Sequence, residues 1–229
     1  MYEYNFKRIE KKYVLTEKQK NLLFYKISDY IKEDKFHKSN IYNIYFDTKN
    51  NDLIINSIDK PIFKEKFRIR SYKIPTLEDK VFFEIKSKYK GTVGKRRCVL
   101  KLKELYDYIE NKKFDESNQI MKEINYYYQL YNLKPVIFIA YDRLSYCSKT
   151  DEALRITIDS NLRSRRYNLR LEQGDKGKKY FEDEKYIMEI KTIGSMPLWL
   201  VRTLSELKIY PTTFSKYGNI YKKERIVYA

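Results

Sequence analysis

Two neighbouring stretches restrict the fold more than any other part of the chain. In Lys66-Phe67-Arg68-Ile69-Arg70, Phe67 and Ile69 alternate with three cations. In Phe82-Phe83-Glu84-Ile85-Lys86-Ser87-Lys88, the same period of two places Glu84, Lys86 and Lys88 on one side and Phe83 and Ile85 on the other. A period of two belongs to a β-strand and would scatter charge around a helix. Both stretches therefore read as strands joined by a polar turn, each with a charged face and an apolar face.

The pattern recurs along the chain. It is found in residues 6–14, with Arg8, Glu10 and Lys12 on one side, in 41–47, in 96–102, and in 136–143, the most apolar of them. It returns in 153–159, with Arg155, Thr157 and Asp159 on the polar side, and in 186–191, where Glu189-Ile190-Lys191 repeats the tripeptide Glu84-Ile85-Lys86. A short apolar segment surrounds Leu53-Ile54-Ile55.

Helices are predicted between these strands. Thr16 and Gln19 have capping-box spacing and open a helix with Leu22, Leu23, Ile27, Tyr30 and Ile31 on one face, fading near Asp34. Further helices are expected over 104–111 and 117–132, the latter with a tyrosine stripe suited to a core. Another follows Ser195, which reads as its cap, with Pro197 in the first turn and Leu200, Val201, Leu204 and Leu207 facing inward. Residues 173–185 read as a surface loop.

The total is about eight strands and about four helices without strict alternation. This fits an α+β domain with a mainly antiparallel sheet or barrel and helices outside. No domain boundary is evident, so 1–229 reads as one domain. The segment 91–95 reads as a hairpin turn; its Gly94-Lys95 lacks the spacing, the following Ser or Thr and the strand-to-helix context of a P-loop.

Composition excludes several classes. At 42% hydrophobic residues, with 24 Tyr and 12 Phe, the chain is too apolar and aromatic for disorder. No apolar run approaches the length of a membrane span, and the first residues lack a signal-peptide core. Two cysteines, Cys98 and Cys147, make neither a disulfide framework nor a metal knuckle, so a soluble protein of the reducing cytoplasm is expected. The single histidine, His37, removes His-based triads and zinc sites.

The charge is more informative. Forty-eight Lys+Arg against 31 Asp+Glu give +17, a field that gathers polyanions. A solvated sheet face normally mixes both signs. Here Arg8, Lys12, Arg68, Arg70, Lys86, Arg143, Arg155 and Lys191 outnumber Glu10, Glu84 and Glu189 on the polar strand faces. Phosphate is the natural counter-charge, because Arg meets it with a planar fork and Lys with a point charge. The three glutamates are candidate ligands for a divalent cation bridging phosphate oxygens, or partners in salt bridges to the neighbouring cations.

At this stage the chain resembles a known family. The motifs, in order, are Lys12-Tyr13-Val14, Tyr45-Phe46-Asp47, Phe67-Arg68-Ile69-Arg70, Glu84-Ile85-Lys86, Tyr141-Asp142-Arg143, Leu154-Arg155-Ile156-Thr157-Ile158-Asp159, Met188-Glu189-Ile190-Lys191 and Phe214-Ser215-Lys216-Tyr217. Together they resemble the catalytic domain of the VTC-type polyphosphate polymerases in their stand-alone bacterial form, within the CYTH-like triphosphate tunnel metalloenzymes. The resemblance implies a closed antiparallel β-barrel whose lumen is a basic tunnel. It also implies that Lys12, Arg68, Arg70, Lys86, Arg143, Arg155, Lys191 and Lys216 hold the phosphates, with Lys95 as a further lysine and Tyr141 and Ser215 as hydrogen-bonding groups. Glu189 is the implied ligand of Mn²⁺ or Mg²⁺.

The chain departs from the family at two places. The hydrolase signature Glu-x-Glu-x-Lys stands here as Arg8-x-Glu10-x-Lys12, and Thr212-Thr213 replace a basic residue found before the last motif of the eukaryotic polymerases. The implied activity is metal-dependent transfer of the γ-phosphoryl group of ATP to phosphate or a polyphosphate end. Alternatives are a tunnel-type phosphohydrolase and a polyphosphate-binding module without catalysis. Nucleic acid is a poor fit because the cations alternate along strands, and monomer and dimer are both open. Lys66 and Lys88 are expected near the tunnel mouths.

Overall fold

A computed structural model describes residues 8–90, 92–111 and 118–227. The expected strand start at Phe6 and Lys7, the turn residue Gly91 and the helix start at Ser117 lie outside the described residues. The chain begins with β1 (Arg8–Thr16), α1 (Glu17–Ile27), β2 (Ile31–Asp47) and α2 (Asp52–Ile58). Then come β3 (Phe63–Ser71), β4 (Lys80–Tyr89), β5 (Thr92–Lys101), α3 (Leu102–Asn111) and α4 (Gln119–Leu130). The rest comprises β6 (Lys134–Ser148), β7 (Arg155–Arg165), a short 3₁₀ turn (Leu171–Gln173), β8 (Lys178–Lys179), β9 (Lys185–Ile193), α5 (Leu198–Glu206) and α6 (Lys216–Val227).

The strands form a nine-stranded sheet in the order β1-β9-β7-β6-β2-β3-β4-β5, with β8 attached to β7. The arrangement is α+β as expected, but the expectation of a closed barrel is overturned. Among the described residues no pairing joins β1 to β5, so the path ends in two edges. Part of the β1 edge is occupied by Thr212, whose amide donates to the Lys12 carbonyl at 2.7 Å. The other edge, β5, carries the exposed run Lys95-Arg96-Arg97, and a charged edge strand resists further pairing. Alternation within strands reveals their faces but says nothing about whether the two ends of a sheet meet.

The described residues gather into two compact units. The first draws on 8–40, 141–162 and 179–215, the second on the described residues of 41–140, 163–178 and 216–227. The core of the first contains Tyr13 and Leu15 of β1, Leu23 and Ile27 of α1, Ile156 and Ile158 of β7, Met188 and Ile190 of β9, and Leu200 and Leu204 of α5. In the second, Phe67, Ile69, Phe83 and Ile85 pack against Leu102 and Leu105 of α3 and Met121, Ile124 and Tyr128 of α4. Fully burying each such side chain contributes roughly 1.5–3 kcal/mol. The tyrosine stripe packs against the core: Tyr127 and Tyr131, both partly buried, stack at 5.9 Å, and both meet Phe67.

Local signals fared unevenly. The capping box is present, with Thr16 Oγ1 accepting from the Gln19 amide and the Gln19 side chain accepting from the Thr16 amide. Yet α1 stops at Ile27, and Ile31, read as helical, opens the 17-residue strand β2. The Tyr30 carbonyl there accepts from the Lys149 amide rather than from a further helical turn. The Leu53-Ile54-Ile55 segment is helical, because Asp47 accepts from the amides of Leu53 and Ile54 and so caps α2. Tyr89 faces Thr92, so the hairpin is tighter than expected and Gly94 lies inside β5. A Cβ at Gly94 would meet Ser87 Oγ at 2.9 Å. Pro197 rather than Ser195 stands at the start of α5, and Val201 is exposed. Helix α6 had no counterpart in the sequence reading.

Candidate functional site

In the second unit, strands β3, β4 and β5 assemble one polar face in four cross-strand rows. These are Arg70-Phe82-Val99, Arg68-Glu84-Arg97, Lys66-Lys86-Lys95 and Lys64-Lys88-Val93. The four rows hold eight cations (Lys64, Lys66, Arg68, Arg70, Lys86, Lys88, Lys95, Arg97) and one carboxylate, Glu84. Like charges directly opposite one another across strands destabilise a sheet, and the lysine row places three in line. Nor is the centre of this face a solvated surface. The side chains of Arg68 and Arg70 are 13% and 8% exposed, and that of Glu84 is fully buried.

Glu84 organises the centre. Arg68 Nε donates to Glu84 Oε2 at 2.7 Å, Lys95 Nζ lies 3.2 Å from Oε1, and Arg70 Nε lies 3.9 Å from Oε2. Burial alone would raise its pKa, but Arg68, Arg70 and Lys95 outweigh that and bring it down to about 2. Oε2 is hydrogen-bonded by Arg68, whereas Oε1 is buried within ion-pair distance of Lys95 but without a hydrogen-bond partner among the described residues, and the carboxylate serves these cations as a counter-ion.

Strand β2 supplies two groups that the sequence reading left out. Asn43 Oδ1 accepts from Arg70 Nε at 2.9 Å while its Nδ2 donates to the Ile139 carbonyl, which fixes the amide. The Tyr45 hydroxyl accepts from Arg68 Nη1 at 3.0 Å. Burial pushes the Tyr45 phenol up, yet Arg68, Arg70 and Lys66 bring it down to about 8. The available signal was parity, since Asn43, Tyr45 and Asp47 alternate along a strand that otherwise looks apolar.

The first unit builds a different face from β1, β9 and β7. Its rows are Glu10-Lys191-Arg155 and Lys12-Glu189-Thr157. Lys191 Nζ lies 3.0 Å from Glu189 Oε1, and Lys12 Nζ lies 3.3 Å from Glu10 Oε1 while donating to the Phe214 carbonyl at 3.2 Å. Arg143 is clamped by Asp159 through Nε to Oδ1 at 2.6 Å and Nη2 to Oδ2 at 2.8 Å. Its Nη2 also lies 4.0 Å from Glu189, and its guanidinium lies 5.3 Å from the Tyr141 ring centroid. Asp159, outside the expected set, is therefore the group that aims Arg143.

Arg155 stands apart from the rest of the expected set. Its side chain is 50% exposed and pairs with Asp34. Ser215 and Lys216 are half-buried; Lys216 opens α6, one residue before Tyr217, whose hydroxyl donates to Asp47. Lys66 is half-buried within the lysine row and Lys88 is exposed at the next row.

Glu189 is buried, and its pKa is held well below the carboxylate range. Desolvation raises it, but Lys191, Lys12 and Arg143 outweigh that, with the Glu10 side chain within reach. Thr157, opposite Glu189, has a buried hydroxyl with no hydrogen-bond partner among the described residues. Two carboxylates in mutual reach and an orphaned hydroxyl form a hard oxygen set compatible with Mn²⁺ or Mg²⁺. No cluster of three or more His, Cys, Asp or Glu suited to a metal occurs among the described residues, so water or phosphate oxygens would complete the shell. No helix of the described residues is long and apolar enough to cross a membrane.

The model of the VTC domain family matches residues 7–224. The fold is similar to the crystal structure of a candidate adenylate cyclase from Bacillus halodurans, at 16% identity and a TM-score of 0.55, covering 91% of this chain and 95% of that one. It is also similar to a candidate adenylate cyclase from Vibrio parahaemolyticus, at 10% identity and a TM-score of 0.53, covering 93% and 97%. No curated protein matches the sequence.

Proposed function

The chain belongs to the VTC domain family, and from that premise we propose that it is a metal-dependent polyphosphate polymerase using ATP. The observation that carries the reading is the β3–β5 face, with eight cations around one buried carboxylate. Such a face favours a chain of phosphates, because cations spread over successive rows about 7 Å apart can be met by an extended polyanion but not by a single phosphate.

In this reading Arg68, Arg70, Lys86 and Lys95 bind phosphate oxygens, and Glu84 holds the two arginines in place. Phosphoryl transfer places most of the catalytic burden on positioning and charge stabilisation. An acceptor phosphate oxygen forms the new P–O bond, the bond from the γ-phosphorus to its bridging oxygen breaks, and ADP leaves. Glu189, Glu10 and Thr157 would hold Mn²⁺ or Mg²⁺, which supplies charge neutralisation across phosphate oxygens when bound. Lys12, Lys191 and Arg143 border that set, and Asp159 positions Arg143.

Incubating the protein with ATP and Mn²⁺ and resolving the products on a gel tests the proposal. A ladder of polyphosphate, abolished by Glu189→Gln, is expected. Release of phosphate without polymer would replace the polymerase with a hydrolase. Tight polyphosphate binding that survives chelation, without turnover, would leave a binding module.

A further inference from the structure

The cationic face changes character at one end. Three of its rows carry Lys or Arg at two or three positions, whereas the Arg70 row continues into Phe82 and Val99. Phe82 is half-buried and belongs to neither hydrophobic core. Tyr72, just beyond β3, meets it edge-on at 5.6 Å and 83°. Arg97, one row back, places its guanidinium 4.5 Å from the Phe82 centroid. Tyr72 and Val99, on either side of Phe82, are 43% and 49% exposed, so the flanks of this aromatic pair are open to a ligand.

The distances relate this pair to the phosphate rows. Phe82 stands two residues along β4 from Glu84 and four from Lys86, about 7 and 13 Å at the strand rise. A ligand lying along β4 therefore meets an aromatic group first, then Arg68 and Arg97, then the lysine row. A bare phosphate chain has no use for the first of these positions. A nucleoside triphosphate has an aromatic base at one end and its terminal phosphates at the other.

Building on the phosphate reading above, we infer that Phe82, Tyr72 and Arg97 form a nucleobase subsite, with the base stacked at Phe82 and the triphosphate running along β4 towards Lys66, Lys86 and Lys95. Stacking on a single aromatic ring is tolerant of base identity because every base has a π-face. Arg97 adds a cation over the ring system. The subsite thus distinguishes nucleotides from inorganic polyphosphate without selecting strongly among bases.

Calorimetric titration with ATP and with tripolyphosphate, in the presence of a chelator, tests the inference. Phe82→Ala should weaken ATP about tenfold, the scale of one lost base–aromatic stack, and change tripolyphosphate less than twofold. Phe82→Trp should bind ATP as the wild type does, and unchanged tripolyphosphate binding reports that Phe82→Ala is folded. Equal weakening of both ligands, or no change for ATP, would overturn the subsite while leaving the phosphate reading intact. Failure of the wild type to bind either ligand would overturn the phosphate reading and the subsite with it.

Discussion

The two units solve the same problem in opposite ways. In the first, Lys12, Lys191 and Arg155 on the face formed by β1, β9 and β7, and Arg143 on β6, each have a carboxylate close by: Lys12 with Glu10, Lys191 with Glu189, Arg143 with Asp159, and Arg155 with Asp34. In the second, Arg68, Arg70 and Lys95 share Glu84, and the lysine row contains no carboxylate of its own. The same alternation of charged and apolar residues therefore yields a nearly balanced face in one unit and a strongly positive one in the other. A balanced face supplies oxygen donors beside its cations, whereas a positive one is completed by a polyanion.

The largest effect that sharpens this contrast is on stability. Glu84→Gln removes the counter-charge from two largely covered arginines, and the fall of the Glu84 pKa from 4.5 to about 2 corresponds to about 3 kcal/mol. That contribution is present above the unfolded-state value near 4.5 and is lost as pH falls through 2. Urea melts of Glu84→Gln at pH 7 should show the loss, and the gap to wild type should narrow in acid. Glu10→Gln, with a side chain 24% exposed in its pair with Lys12, should cost less than about 1 kcal/mol.

Next in size is the effect on anion binding. Arg68→Ala should weaken tripolyphosphate about thirtyfold, the scale of a lost charge-assisted hydrogen bond. Arg155→Ala, removing a half-exposed group already paired with Asp34, should change it less than threefold. Equal losses would erase the distinction between the two faces. Smaller still is a pH effect at Tyr45. As pH rises through about 8 the phenol ionises and adds negative charge beside Arg68, so tripolyphosphate affinity should drop several-fold. In Tyr45→Phe that step should disappear from the titration.

Much of this was legible in the sequence because side-chain parity along a strand is a local property. Phe67, Ile69, Phe83 and Ile85 had to share a face opposite Arg68, Arg70, Glu84 and Lys86, and they do. The Thr16 capping box was local too. Closure of the barrel was not, because it depends on whether the edges of β1 and β5 meet, and no pattern within either strand encodes that. The role of Glu84 was equally hidden. Parity placed it among cations, but only the register shows that Arg68 and Lys95 are the ones it pairs with. Ile31 misled because it continued the helical spacing of α1 past the point where the backbone had turned into β2.

The central claim is that the β3–β5 face seats the phosphate chain. Titrating tripolyphosphate, with chelator present, into the wild type and into the triple variant Lys66→Ala/Lys86→Ala/Lys95→Ala tests it most directly. The account predicts binding by the wild type and a loss of at least about a hundredfold in the variant, three charged contacts being removed together. A folded triple variant that binds tripolyphosphate as tightly as the wild type would contradict it.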